Sequence, residues 1–370
     1  MIPYGRHSVN DEDIEVVSAV LRSDWLTIGS QVDIFEEALS KITGAPCVSV
    51  SSGTAALHCA YAAIGIEPGD EIITPPITFV ATQATAALFG AKVVFADVQI
   101  DTGNIDPSAV ESAITNRTKA IVAVDFAGHP VELDELRSIA DRYGVYLIED
   151  AAHSLGSIYR GERIGAKADL TTFSFFPTKN IATGEGGAIS SNNPELLARA
   201  KRFSRQGMIR EKENFVISDQ GPWHQEVHEF GLNYRLPDIL CALGTSQLTR
   251  IDAFKARRND IFNYYRSELN DSIFTAPAKR DYVEPMWHLY PVRVEAKSRL
   301  RIFESFRRSG VGVQVNYMPA YWHPVFQAMG FKIGQFPNSD AFYASEISLP
   351  ISFALSDEQM HKVVEVANST

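Results

Sequence analysis

The chain predicts an α/β protein: a large, mostly parallel sheet domain followed by a small α+β unit. Three observations carry this reading. Short apolar runs alternate with amphipathic helical stretches from Cys47 to Ile148. Acids stand directly after several of those runs, at Asp97, Asp125 and Asp150, where open parallel sheets bind ligands. After Gly187 the alternation gives way to a long polar and aromatic stretch, and then to long helices. We expect a large domain over residues 1–245 and a small one over 246–370.

The elements follow in order. Asn10 to Leu21 reads as a helix, opened by Asn and Asp and carrying Ile14, Val17 and Val20 on one face. Val32 to Ile42 is a second helix. Cys47 to Val50 is a strand and Gly53 to Ile64 a helix; Glu71 to Thr74 is a strand and Phe79 to Phe89 a helix. The same alternation gives a strand over Lys92 to Ala96 and a helix over Pro107 to Ile114. It then gives a strand over Ala120 to Val124, a helix over Val131 to Tyr143 and a strand over Val145 to Ile148. Glu195 to Phe203 is helical, Ser204 to Gly231 a long loop, and Pro237 to Asn270 one or two long helices. The small unit reads as a strand (Leu289 to Val294), a helix (Leu300 to Ser309), a strand (Val313 to Val315) and a final helix (Asp357 to Ala367).

Composition narrows the partners. The chain has 370 residues, 45% hydrophobic, with 34 Lys and Arg against 45 Asp and Glu, a net charge of −11. An acidic surface argues against nucleic acid and anionic membranes. It does not forbid an anionic small substrate, which a local set of Arg and backbone N–H groups can bind. Cys47, Cys59 and Cys241 lack any C-x-x-C spacing and fit reduced thiols. No apolar leader follows Met1, and no run of about 18 apolar residues occurs; the expected location is cytoplasmic. The sequon Asn116-Arg117-Thr118 is read as chance.

Two segments carry the chemistry. Ser51-Ser52-Gly53-Thr54-Ala55-Ala56-Leu57 joins a strand to a helix. Small residues there let an anion approach free N–H groups at the positive end of the helix, although a plain Ser N-cap reads the same way. Asp150 ends an apolar strand, and Lys179 follows Phe173, Phe175, Phe176 and Pro177 just before Gly184-Glu185-Gly186-Gly187. Apolar surroundings lower a lysine pKa and favour the neutral nucleophile. A strand-end carboxylate and a lysine one structural unit later are what pyridoxal phosphate (PLP) requires: the amine forms a Schiff base with its aldehyde, and the carboxylate keeps its pyridine nitrogen protonated. His224 and His228 flank Glu226 without the H-E-x-x-H spacing and read as loop surface, with no metal expected. Trp223, Trp287 and Trp322 are assigned to the core.

Together these residues resemble the DegT/DnrJ/EryC1/StrS family of PLP-dependent sugar-nucleotide aminotransferases, of fold type I (aspartate aminotransferase-like). The resemblance covers nearly the whole chain. It rests on Ser52 to Leu57, Thr74-Pro75-Pro76-Ile77-Thr78-Phe79-Val80-Ala81-Thr82, Glu149-Asp150-Ala151-Ala152-His153-Ser154, Phe173 to Asn180, Gly184 to Gly187 and Gly231-Leu232-Asn233-Tyr234-Arg235-Leu236. It implies that Lys179 holds the cofactor and later shuttles protons, and that Asp150 pairs with the pyridinium nitrogen. Phe79 would stack on the ring, and His153 would sit near its phenolic oxygen. Thr54, Ala55 and Ser174 would hold the phosphate, and Asn233 would reach it from the neighbouring subunit of a homodimer.

The implied reaction takes the amino group of L-glutamate to a keto-sugar nucleotide. A dehydratase branch has histidine where this chain has Lys179, which favours amino transfer. Relatives commonly read V-H-Y where this chain reads Val315-Asn316-Tyr317, so no role is carried to position 316. The C-terminal half most resembles the 4-aminotransferases of the pseudaminic-acid route, through Gly231 to Leu236, His288-Leu289-Tyr290-Pro291 and Glu346-Ile347-Ser348-Leu349-Pro350. Those aminate C4 of a UDP-linked 2-acetamido-2,6-dideoxy-4-hexulose. The alternatives are a dTDP- or GDP-linked keto-sugar, aminated at C3 or C4, and a non-catalytic PLP-binding regulator; the absence of a DNA-binding module or basic stripe argues against the regulator.

Overall fold

The computed structural model describes residues 1–217 and 220–370. Its centre is a seven-stranded sheet in the order Cys47–Val50, Gly187–Ser190, Leu170–Ser174, Tyr146–Asp150, Thr118–Val124, Glu71–Thr74, Lys92–Phe95. All neighbours pair parallel except those of Gly187–Ser190, which runs antiparallel to both its partners. This large, mostly parallel mixed sheet with flanking helices agrees with the expected fold type I.

Most strands are buried along their whole length, because helices cover both faces of a parallel sheet. The pleat then sorts alternate residues. Ile73, Ile121, Ala123, Leu147 and Phe173 enter the core on one face. Ile72, Ala120, Val122, Ile148 and Leu170 enter the core on the other. Burying one such side chain stabilises the fold by about 1.5–3 kcal/mol.

The helices form where the periodicity placed them, and their ends have visible causes. Asn10 caps Asp11–Leu21 through a reciprocal box with Asp13. Asn193 caps Pro194–Phe203 with Pro194 in the first turn. Ser52 caps Gly53–Ala63 by accepting the Ala55 N–H at 3.0 Å. Gly44 and Gly144 end their helices in the left-handed region. The stretch read as one or two helices from Pro237 is two, Asp238–Leu248 and Ile251–Glu268.

A separate apolar cluster joins Ile261, Phe262 and Tyr265 to Tyr290, Val292, Phe306, Ile347, Leu349 and Val363. Here Tyr290–Arg293 pairs antiparallel with Glu346–Leu349. Val313 to Val315 is not a strand: Gln314 makes a single bridge to Ser348, and the chain then turns into the site. Two other readings are corrected, the first being that the stretch 204–231 contains a two-stranded ribbon, Met208–Ile209 against Glu226–Val227. Beyond Val315 lie the short helices Pro324–Ala328 and Pro337–Ser345. Trp287 is buried, stacked on Phe262 at 4.1 Å, and Trp322 packs beside Tyr343, but Trp223 is 81% exposed and is no core residue.

Candidate active site

A cavity of about 470 Å³ opens at the carboxyl ends of Tyr146–Asp150 and Leu170–Ser174. Parallel strands end there together, and the helix Gly53–Ala63 begins beside them. Thr54, Phe79, Asp150, His153, Ser174 and Lys179 all line it. Ala55 is fully buried behind this wall, its N–H taken by Ser52. Asn233 lies away from the cavity on an exposed segment, bridged to Arg205. Of the three strand-end acids, only Asp150 reaches the cavity. Asp97 instead caps Pro337–Ser345 by accepting the N–H groups of Asn338 and Ser339. Asp125 is fully buried and accepts the Ser154 hydroxyl at 2.5 Å and the Val131 N–H at 2.9 Å.

Asp150 is 6% exposed. Its Oδ2 accepts the Thr82 hydroxyl at 2.8 Å and its Oδ1 accepts the Ala152 N–H at 3.2 Å. Burial raises its pKa; the two hydrogen bonds and the Lys179 charge pull the other way. Lys179 follows a tight turn in which its N–H donates to Phe176 O at 2.8 Å. Asn180 fastens this loop by donating from Nδ2 to the His153 carbonyl at 2.7 Å. Desolvation brings the Lys179 ammonium down to about 8, against the opposing pull of Asp150. The site therefore holds a nucleophilic amine and a carboxylate near enough to act on each other.

Two further acids lie behind this pair. Burial pushes Asp125 up to about 7 and holds Glu149 well above its usual range. His153 and His288 are buried with rings 4.2 Å apart. Burial, then neighbouring positive charge, holds both imidazoles well below the usual histidine value, so both are neutral. Neither Nδ1 has a partner among the described residues. Tyr317 hydroxyl lies 3.3 Å from His153 Nε2.

The turn at Gly53 leaves no room for a side chain: a Cβ there would meet Ser174 Cβ at 2.7 Å. The first-turn N–H groups of Gly53 and Thr54 have no intrahelical acceptor, which makes an anion site beside Ser174. The cavity suits PLP on these grounds. It offers that anion site, a carboxylate for a pyridine nitrogen, an amine for an aldehyde, a buried imidazole nitrogen lacking a partner, and the 61% exposed ring of Phe79.

Sequence reasoning missed Tyr4, Thr82, His288 and Tyr317, which also line the cavity. Thr82 and His288 stand inside stretches quoted for the resemblance, without a role there. Tyr4, more than three hundred residues from Asn316 in sequence, carried no signal. Elsewhere Glu226 accepts from His224, His228 and the N–H groups of Val216 and Ile217. The histidine pair thus clasps a loop, and no metal-binding group occurs among the described residues. No helix there is long and apolar enough to cross a membrane.

A model of the DegT/DnrJ/EryC1/StrS aminotransferase family matches residues 7–367. The UDP-4-amino-4,6-dideoxy-N-acetyl-beta-L-altrosamine transaminase of Campylobacter jejuni is 38% identical over 359 residues, covering 95% of this chain and 92% of that protein. The spore coat polysaccharide biosynthesis protein SpsC of Bacillus subtilis is 37% identical over 98% of this chain and 95% of its own. Among solved structures, Helicobacter pylori PseC, an aminotransferase involved in the biosynthesis of pseudoaminic acid, superposes with a TM-score of 0.91 at 34% identity over the full length of both chains. A Streptococcus pneumoniae chain solved in PLP form superposes with a TM-score of 0.92 at 30% identity, covering 100% of this chain and 98% of that one.

Proposed function

This chain belongs to the DegT/DnrJ/EryC1/StrS aminotransferase family, as a PLP-dependent sugar aminotransferase, and on that premise we propose that it transfers the amino group of L-glutamate to C4 of a UDP-linked 4-keto-6-deoxy-2-acetamido-hexose. The observation that carries the substrate is the similarity to the Campylobacter transaminase across 95% of the chain.

Bound PLP supplies an electron sink and a carrier for the amino group. Lys179 would hold its aldehyde and Asp150 its pyridine nitrogen. Gly53, Thr54 and Ser174 would hold its phosphate, whereas the Ala55 N–H is already given to Ser52; Phe79 would cover its ring, and His153 would meet its phenolic oxygen. An amine brought to about 8 is neutral in about a tenth of molecules at neutral pH. Lys179 can therefore take a proton from the amino-bearing carbon of glutamate in one half of the reaction and, in the other half, give one to the sugar carbon that receives the nitrogen. Asp150, held by Thr82 and Ala152, keeps a proton at the ring nitrogen. Neutral His153 can accept or donate a hydrogen bond without bringing a charge that would repel Lys179.

The working unit is a homodimer in which Asn233 of one copy completes the phosphate site of the other. Trp25 and Ile28 on one segment, and Phe230 and Leu232 beside Asn233 on another, are exposed apolar side chains that support an interface. The 25–31 and 237–241 segments are tied together by Asp238, which accepts the N–H groups of Gly29 and Gln31. A second substrate reading, a differently linked keto-sugar, draws on the comparable similarity to SpsC, 37% against 38% identity. Mass spectrometry of the product from glutamate and a panel of UDP-, dTDP- and GDP-linked keto-sugars decides between them. Amination of a dTDP or GDP sugar in preference to the UDP acetamido-sugar overturns the substrate assignment. Failure of glutamate to shift the visible band of the PLP-loaded protein overturns the reaction.

A further inference from the structure

Asn316 lines the cavity, and a buried hydrogen-bonded set fixes how it does so. Glu346 is fully buried. Its Oε2 accepts the backbone N–H of Asn316 at 2.8 Å, and its Oε1 accepts the Ser348 hydroxyl. With that proton directed at Glu346, the Ser348 oxygen accepts from Asn316 Nδ2 at 3.1 Å. The other Nδ2 proton goes to the Tyr4 oxygen at 2.6 Å. Both amide donors are thus committed inside the protein, and the network sets which way the amide faces. Oδ1 remains, and among the described residues nothing donates to it.

We infer that Asn316 is a specificity-determining residue of the sugar site, its Oδ1 accepting a hydrogen bond from a neutral donor on the sugar ring, a hydroxyl or an amide N–H. The inference rests on the keto-sugar reading proposed above. An amide oxygen has no proton to give, so it cannot serve the carboxylates of glutamate, which are acceptors only, and the one donor of glutamate, its amino group, is what the cofactor takes up. Its effect is therefore confined to the sugar half of the reaction. A ligand lacking the donor leaves Oδ1 desolvated and unpaired, which costs about 10- to 100-fold in kcat/KM.

Burial pushes the Glu346 carboxyl up to about 8, so the test crosses wild type and Asn316→Leu with three substrates about one pH unit above that, where the carboxyl is ionised. These are the UDP-4-keto-6-deoxy-2-acetamido-hexose, its 3-deoxy analogue and its N-methylacetamido analogue; the last two each remove one candidate donor. Wild type is expected to lose about 10- to 100-fold on one analogue. Asn316→Leu is expected to lose as much on the parent sugar and nothing more on that same analogue. Its glutamate half-reaction, read from the visible band, stays within about twofold.

Losses that multiply for both analogues, or a glutamate half-reaction that falls in step, overturn the inference. So does a wild-type enzyme that discriminates against neither analogue, an outcome independent of whether the variant folds. If wild type aminates only a dTDP- or GDP-linked sugar, the substrate assignment falls. The same cycle, run with the deoxy analogues of that sugar, then judges Asn316 separately.

Discussion

Replacing Thr82 with valine removes one hydroxyl and almost no volume. In the native site that hydroxyl donates to Asp150 Oδ2 at 2.8 Å, inside a wall where Asp150 is nearly fully buried. A hydrogen bond to a charged group contributes about 1.5–3 kcal/mol. At about 1.4 kcal/mol per pKa unit, its loss raises the Asp150 pKa by about one to two units. Burial already holds that pKa above the ordinary value, so the shift enlarges an existing one. The sign follows from linkage: a carboxyl with a raised folded pKa favours folding below its unfolded value, and that contribution fades as pH rises through the folded value. The cofactor-free variant should therefore be nearly as stable as wild type in acid, and about 1.5–3 kcal/mol less stable at alkaline pH. Urea melts across pH measure this. In the PLP-loaded protein the acid limb of the glutamate half-reaction should move up by about one to two units. A stability loss equal at every pH, with an unmoved acid limb, would refute the account of Asp150.

Four further outcomes follow. Lys179→Ala should abolish multiple turnover while the protein remains folded; sustained turnover by rigorously purified variant would remove its role. Gly53→Ala, whose Cβ meets Ser174 at 2.7 Å, should weaken PLP retention by at least about tenfold in dialysis followed by absorbance, with melting of the cofactor-free protein changed much less. Mixing inactive Lys179→Ala with inactive Asn233→Ala under exchange should restore about a quarter of wild-type activity, since half of random dimers hold one intact site; no recovery, given exchange shown by mass, argues against a shared site. Glu71 is 1% exposed and binds Arg117 at 2.7 Å, Lys92 and Thr115. Burial opposes its charge, but those bonds hold its pKa below the usual carboxylate value. Its stabilisation is therefore present above the unfolded pKa and lost as pH falls through the folded one, and Glu71→Gln should flatten the acid side of the stability curve.

Particular residues show what was legible. The strands around Ile121 and Leu147 were readable because full burial on both faces demands unbroken apolar runs. Asp150 and Lys179 were readable because each stands beside a strand whose direction fixes where it ends. Local patterns failed where the partner is remote. Val313 to Val315 has strand composition but meets only one bridge, to Ser348. Asp97 and Asp125 share the strand-end position of Asp150, yet one caps a helix some two hundred and forty residues away and the other is sealed beneath Ser154.

The sequence by itself determined the alternation of strand and helix, the glycine turn at the anion site, and the pairing of an acid with a lysine on consecutive sheet elements. These depend on periodicity and on neighbours a few residues apart, which any single segment displays. Only the tertiary structure decided what the other two strand-end acids, Asp97 and Asp125, do. It alone set Lys179 near 8 by desolvation, packed His153 against His288, and committed both amide protons of Asn316 to Tyr4 and Ser348. Burial and hydrogen-bond partners belong to the packed chain, and they set the charge and reach of each side chain in the site.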